Sequence, residues 1–103
     1  MHVSPTDAQL NALLVRMRTA VRAGRVEVRA YAREGMRELG WEPEDVRIQL
    51  LELAAPDFLR VEESTAAQGG LIWVFTPELW DGGHLWIRLV ERRGVVIISF
   101  HQG

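Results

Sequence analysis

The sequence predicts an α+β domain, with about three helices packed on one face of a mainly antiparallel sheet of four strands or slightly more. Three observations lead there. Apolar residues up to about Pro56 recur at helical spacing, and beyond Pro56 the period drops to two. Turn signals at Asp81-Gly82-Gly83 and Arg92-Arg93-Gly94 then divide the second half into strands at hairpin spacing. At 103 residues the chain is long enough for one hydrophobic core and too short for two, so residues 1–103 are expected to form a single domain.

The elements follow in order. Ser4-Pro5-Thr6-Asp7 reads as a helix start, with Ser4 as N-cap, Pro5 at the first helical position and Asp7 as the capping partner. Leu10, Leu13, Leu14, Met17 and Val21 lie on one face of that helix, and Gly24 closes it. Arg16, Arg18 and Arg22 fall off the stripe and read as its solvated face. Val26-Glu27-Val28 is a short strand or an extended link. A second helix covers about Arg29 to Leu39 and stops at Gly40. The third starts at Pro43 with Glu42, Glu44 and Asp45 favourably placed against its N-terminal dipole; Val46, Leu50 and Leu53 form its stripe, and Pro56 ends it. Strands are expected at 57–63, 71–75, 84–91 and 95–101, with Ser64 to Gly70 as a small polar turn. Val95 to Ile98 is apolar on both faces, as a central strand should be. Trp41 and Trp73 read as packing residues, and Trp80 as a loop-tip contact with RNA or a partner.

Composition removes several function classes. There is no cysteine, so disulfides, thiolate metal sites and cysteine nucleophiles are out, and a reducing cytoplasm fits. No stretch approaches the roughly 20 apolar residues that span a bilayer, and Met1 to Asp7 lacks the pattern of a secretory signal, so no membrane partner is expected. All twelve basic residues are arginine. The net charge of −2 argues against gripping nucleic acid by bulk charge, so any such contact must be local.

Strand parity shows where a local site would lie. Leu85, Ile87 and Leu89 share one face with Val96, Ile98 and Phe100 and should pack beneath the helices. The opposite parity places Arg60, His84, Trp86, Arg88, Ser99 and His101 on the open face, with Phe58 and Glu62 sharing the parity of Arg60. Arginine grips phosphate with two prongs, a tryptophan face stacks an unpaired base for roughly 1–3 kcal/mol, and histidine exchanges protons near neutrality. Metal-free RNA scission needs a base, an acid and a cation at the phosphate. Against this, the same arginines are placed to pair with Glu62, Glu63 or Glu91.

From Val21 to Gln102, about four fifths of the chain, the sequence resembles the MqsR family of mRNA interferase toxins, which have a RelE-like fold. The blocks that carry the resemblance are Ala23-Gly24-Arg25-Val26, Glu38-Leu39-Gly40, Val46 to Leu53 with Asp57-Phe58, Leu71-Ile72-Trp73, Trp86-Ile87-Arg88-Leu89, and Val96-Ile97-Ile98-Ser99-Phe100. Parity and the resemblance together point to Arg60, Trp86 and His101 as catalytic residues and Arg88 as a substrate contact, and parity alone adds His84 and Ser99 as substrate contacts. No cofactor and no metal are implied. The family's lysine after Asp-Phe-aromatic falls on Arg60, and the lysine of its Tyr-Leu-Lys-Leu block falls on Arg88. Its tyrosine falls on Trp86, its glutamine on Val74, and the basic residue after Ser-Phe on His101. Charge and stacking are kept, while two hydrogen-bonding groups are lost. The implied partners are mRNA and a cognate antitoxin, with DNA reached only through the antitoxin.

Two other readings compete with the ribonuclease. One is a domain of the same fold that has lost the chemistry and binds an antitoxin or another protein. The other is a small-molecule-binding domain, which needs an apolar cavity that the sequence does not announce.

Overall fold

The computed structural model describes residues 4–64, 70–79 and 81–102. The interior of the turn after Ser64 and the proposed contact at Trp80 lie outside the described residues. The class is α+β: helices α1 (Asp7–Arg22), α2 (Ala30–Leu39) and α3 (Pro43–Glu52), and strands β1 (Val26–Val28), β2 (Phe58–Glu63), β3 (Leu71–Phe75), β4 (Leu85–Arg92) and β5 (Val95–Gln102).

The sheet has five strands in the order β1-β5-β4-β3-β2, within the expected four or slightly more. The strand beyond the four is Val26–Val28, which pairs in parallel with β5, Val26 facing Val96 and Val28 facing Ile98. Three residues give too little alternation for the sequence to tell a strand from a link. Hydrogen bonds from Val96 N–H to the Arg25 carbonyl (3.0 Å) and from Arg29 N–H to the Ile98 carbonyl (2.9 Å) extend the pairing at both ends. The remaining neighbours are antiparallel.

The start of α1 differs from the expected cap by two residues. Thr6, not Ser4, is the N-cap: its hydroxyl accepts from Gln9 N–H (3.1 Å), and Gln9 Oε1 accepts from Thr6 N–H (2.8 Å). Thr6-x-x-Gln9 forms the reciprocal pair of a capping box, and Asp7 falls in the first turn of α1, where its charge favours the helix N-terminus. Two of the α1 arginines also do more than face solvent. Arg16 chelates Glu91 of β4 through Nε and an amino nitrogen (3.0 and 2.9 Å), which raises its pKa above the ordinary guanidinium value. Arg18 donates to the Leu53 carbonyl at the end of α3 (2.7 Å).

All three helices cover one face of the sheet. Leu13, Met17 and Val21 of α1 and Val46 and Leu50 of α3 join Phe75, Leu85, Ile87, Leu89 and Ile98 in a single core. Each fully buried side chain of this size contributes roughly 1.5–3 kcal/mol. α2 packs closely against β5 at Gly35, where an added Cβ would stand 3.2 Å from the Phe100 carbonyl oxygen. Trp41 and Trp73 are packing residues as expected, Trp41 tilted against Phe100 at 5.9 Å between centroids and Trp73 against Phe58 at 5.8 Å.

A β-bulge corrects the expected face of Phe58. Phe58 pairs with Phe75 and Arg60 with Val74, so Leu59 is an extra residue on β2. Simple alternation would put Phe58 beside Arg60 on the open face. The bulge instead lets Phe58 pack edge-on to Phe75 beneath the helices while Arg60 stays outside.

Candidate nucleic-acid interface on the open sheet face

Cross-strand pairing assembles the site. Arg60 of β2 lies opposite Val74 of β3, Val74 opposite Arg88 of β4, and Arg88 opposite Ser99 of β5. This makes one row across four strands, with Val74 wholly buried in its middle. In the next row, Trp86 faces His101. Four of the six residues singled out from parity therefore come together: Arg60, Trp86, Arg88 and His101.

The contacts among them are specific. The rings of Trp86 and His101 are stacked, 6.3 Å between centroids and 5° from parallel. The Arg60 guanidinium lies over the Trp86 ring, its carbon 5.9 Å from the centroid, a cation–π contact of about 0.5–1 kcal/mol at an exposed site. Arg60 Nε also donates to Glu62 Oε1 at 3.1 Å, and an Arg88 amino nitrogen lies 3.6 Å from that same oxygen. One carboxylate thus gathers two guanidiniums, and one of these in turn covers the indole.

His84 and Ser99 sit differently. His84 is exposed at an isolated bridge to Glu78 and shares a concavity of about 220 Å³ with Trp86, Leu59 and Thr76. Ser99 shares the Arg88 row but is only 5 % exposed. It belongs to the floor of the face rather than to the wet surface on which parity places it.

Glu62 was legible only as an ion-pair option and turns out to be central. Arg92 lies on the Arg88 side of β4, and Arg29 reaches the face from the end of β1. Both line a second concavity with Arg88. Parity along β4 was enough to flag Arg92, whereas Arg29 required knowing that β1 joins the sheet. A further concavity, about 720 Å³, lies on the helical side between α2, α3 and β1, with Met36, Trp41 and Val46 in its wall. It is the apolar cavity that the sequence did not announce. The stacked imidazole and the indole are on the sheet face, so we place the candidate chemistry there.

Among the described residues, no three His, Cys, Asp or Glu side chains are grouped to hold a metal ion. No helix among them is long and apolar enough to cross a membrane. Neither a protein-family model nor a curated protein matches the chain.

Proposed function

We infer that the open face binds single-stranded RNA and cleaves it, making the chain the endoribonuclease toxin of a toxin–antitoxin pair. The observation that carries this reading is the Arg60–Trp86–His101 stack with Arg88 beside it. A strand laid along this row brings its phosphate to the two guanidiniums, whose forked donors fit non-bridging oxygens. His101 takes the proton of the 2′-hydroxyl as that oxygen attacks phosphorus. The bond to the 5′-oxygen breaks, and His84, which shares a concavity with Trp86, gives that oxygen a proton. The products are a 2′,3′-cyclic phosphate and a 5′-hydroxyl. The toxin assignment rests on the sequence resemblance, which also supplies the expected antitoxin, an indirect link to DNA and a cytoplasmic setting.

The test is cleavage of a defined mRNA by the purified protein. Discrete fragments ending in cyclic phosphate are expected, and Arg60→Ala should abolish them. RNA left intact at high protein excess would defeat the reading.

A second reading, a domain without chemistry that binds a partner protein, is favoured by two observations. Glu62 already pairs with both arginines of the site, and Val74 stands where the resembled family has a glutamine. It requires a tight partner complex and no turnover, so any cleavage that depends on Arg60 eliminates it.

A further inference from the structure

The open face carries a second basic concavity, which the proposed chemistry touches only at its edge. Its volume is about 180 Å³, and Arg29, Arg88 and Arg92 surround a floor that includes Val90, Ile97 and Ser99. Arg88 and Arg92 project from the same side of β4 with Val90 between them. Val90 pairs with Ile97 and Arg88 with Ser99. Arg29 is fixed next to this floor by its own N–H, which donates to the Ile98 carbonyl. Arg60 and Arg88 share a carboxylate, whereas Arg29 and Arg92 have no ion pair among the described residues.

Arg29 is also a poor residue for its local position. It is the N-cap of α2, makes no side-chain cap hydrogen bond, and is followed by a first turn without an acid. N-caps favour Ser, Thr, Asp or Asn, and a cation at a helix N-terminus opposes the macrodipole. By contrast α1 has Thr6 and Asp7 at its start, and α3 has Glu44 and Asp45 in its first turn. Sequences set such rules aside chiefly where function requires it.

We propose that this concavity is a second phosphate subsite, in which Arg29 and Arg92 hold a backbone phosphate of the same RNA strand. The strand then runs along β4, from the Trp86–His101 stack towards the β4–β5 turn. The centre of the subsite lies two residues beyond Arg88, about 7 Å at the rise of a strand. The proposal rests on the reading of this face as an RNA surface.

The experiment uses the full chain and a 2′-O-methyl hexanucleotide, which lacks the attacking hydroxyl, with binding followed by fluorescence anisotropy across a salt series. Arg29→Ala with Arg92→Ala should weaken binding about tenfold or more at low salt. The slope of log K against log salt should shrink by about 0.7, the value carried by one phosphate contact on a single strand. Arg29→Lys with Arg92→Lys should restore most of the slope. Arg29→Ser supplies a cap, so it should raise the thermal midpoint while still weakening binding, an outcome that damage to the fold does not produce. If the double alanine variant binds as wild type does while Arg60→Ala with Arg88→Ala binds weakly, the subsite is overturned and the RNA surface stands. A wild-type protein that does not bind the hexanucleotide overturns both.

Discussion

Replacing Glu62 by Gln separates binding from chemistry on the open face. The carboxylate bridges Arg60 and Arg88, and a phosphate seated on those guanidiniums lies within about 4–6 Å of it. The three side chains are 39 %, 24 % and 44 % exposed for Arg60, Glu62 and Arg88, so the water-like end of the dielectric range applies. There, two like charges at about 4 Å repel by ~1 kcal/mol. Removing the negative charge should therefore tighten the binding of a 2′-O-methyl oligonucleotide roughly fivefold at low salt, by the rule that 1.4 kcal/mol is tenfold. The fold loses little, since each exposed ion pair contributes at most about 1 kcal/mol. Gln keeps an acceptor oxygen for Arg60 Nε, so the guanidinium stays over Trp86 and cleavage persists. Glu62→Ala removes that acceptor as well. It should bind at least as tightly as wild type but cleave more slowly, because Arg60 is no longer held. Anisotropy titrations beside single-turnover cleavage measure both effects. Binding by Glu62→Gln that is unchanged or weaker would refute the placement of phosphate between Arg60 and Arg88.

Three further predictions concern the scaffold. Arg93 and Gly94 both have positive φ (51° and 78°) in a two-residue hairpin loop, so Arg93→Asn should stabilise the domain by up to ~1 kcal/mol and raise the melting midpoint by roughly 4–8 °C in thermal denaturation. Gly35→Ala should lower the midpoint although Ala gains about 1 kcal/mol in helix propensity, because the new methyl meets a backbone oxygen of β5, which is hydrogen-bonded on both sides in the sheet. Deleting Leu59 removes the bulge and leaves Phe58 and Arg60 on their present faces, so far-UV circular dichroism and the melting midpoint should change little. Deleting Val61 instead inverts the pattern of β2 and should unfold the domain.

Much of this architecture was legible because long elements carry strong periodicity. The stripes of α1 and α3 and the parity of β4 and β5 sorted buried from open residues, and these are the elements that hold Trp86, Arg88 and His101 in place. What was missed depended on short or irregular segments. Three residues of β1 cannot announce a strand, and without β1 there is no reason to bring Arg29 to the sheet. A bulge is invisible to alternation, which is how Phe58 came to be expected beside Arg60. Ser99 has the parity of an exposed residue, but parity reports which face a side chain takes and not how deeply its neighbours cover it. Glu62 was one of three acids in reach of the arginines, and only the registers of β2, β3 and β4 select it over Glu63 and Glu91.

The parallel pairing of β1 with β5 orders the assembly of the molecule. The β4–β5 hairpin closes over two residues, an event of roughly 1–10 μs for isolated hairpins. Val26 meets Val96 only after α2, α3 and three strands have been folded back between them, which makes β1–β5 the costliest strand pairing in loop entropy. Val96 N–H, bonded to the Arg25 carbonyl, should therefore gain protection later than the β4–β5 amides in pulse-labelled hydrogen exchange. Arg29 arrives with that last strand, so a partly folded chain already holds the stacked Trp86 and His101 but has an incomplete cationic track.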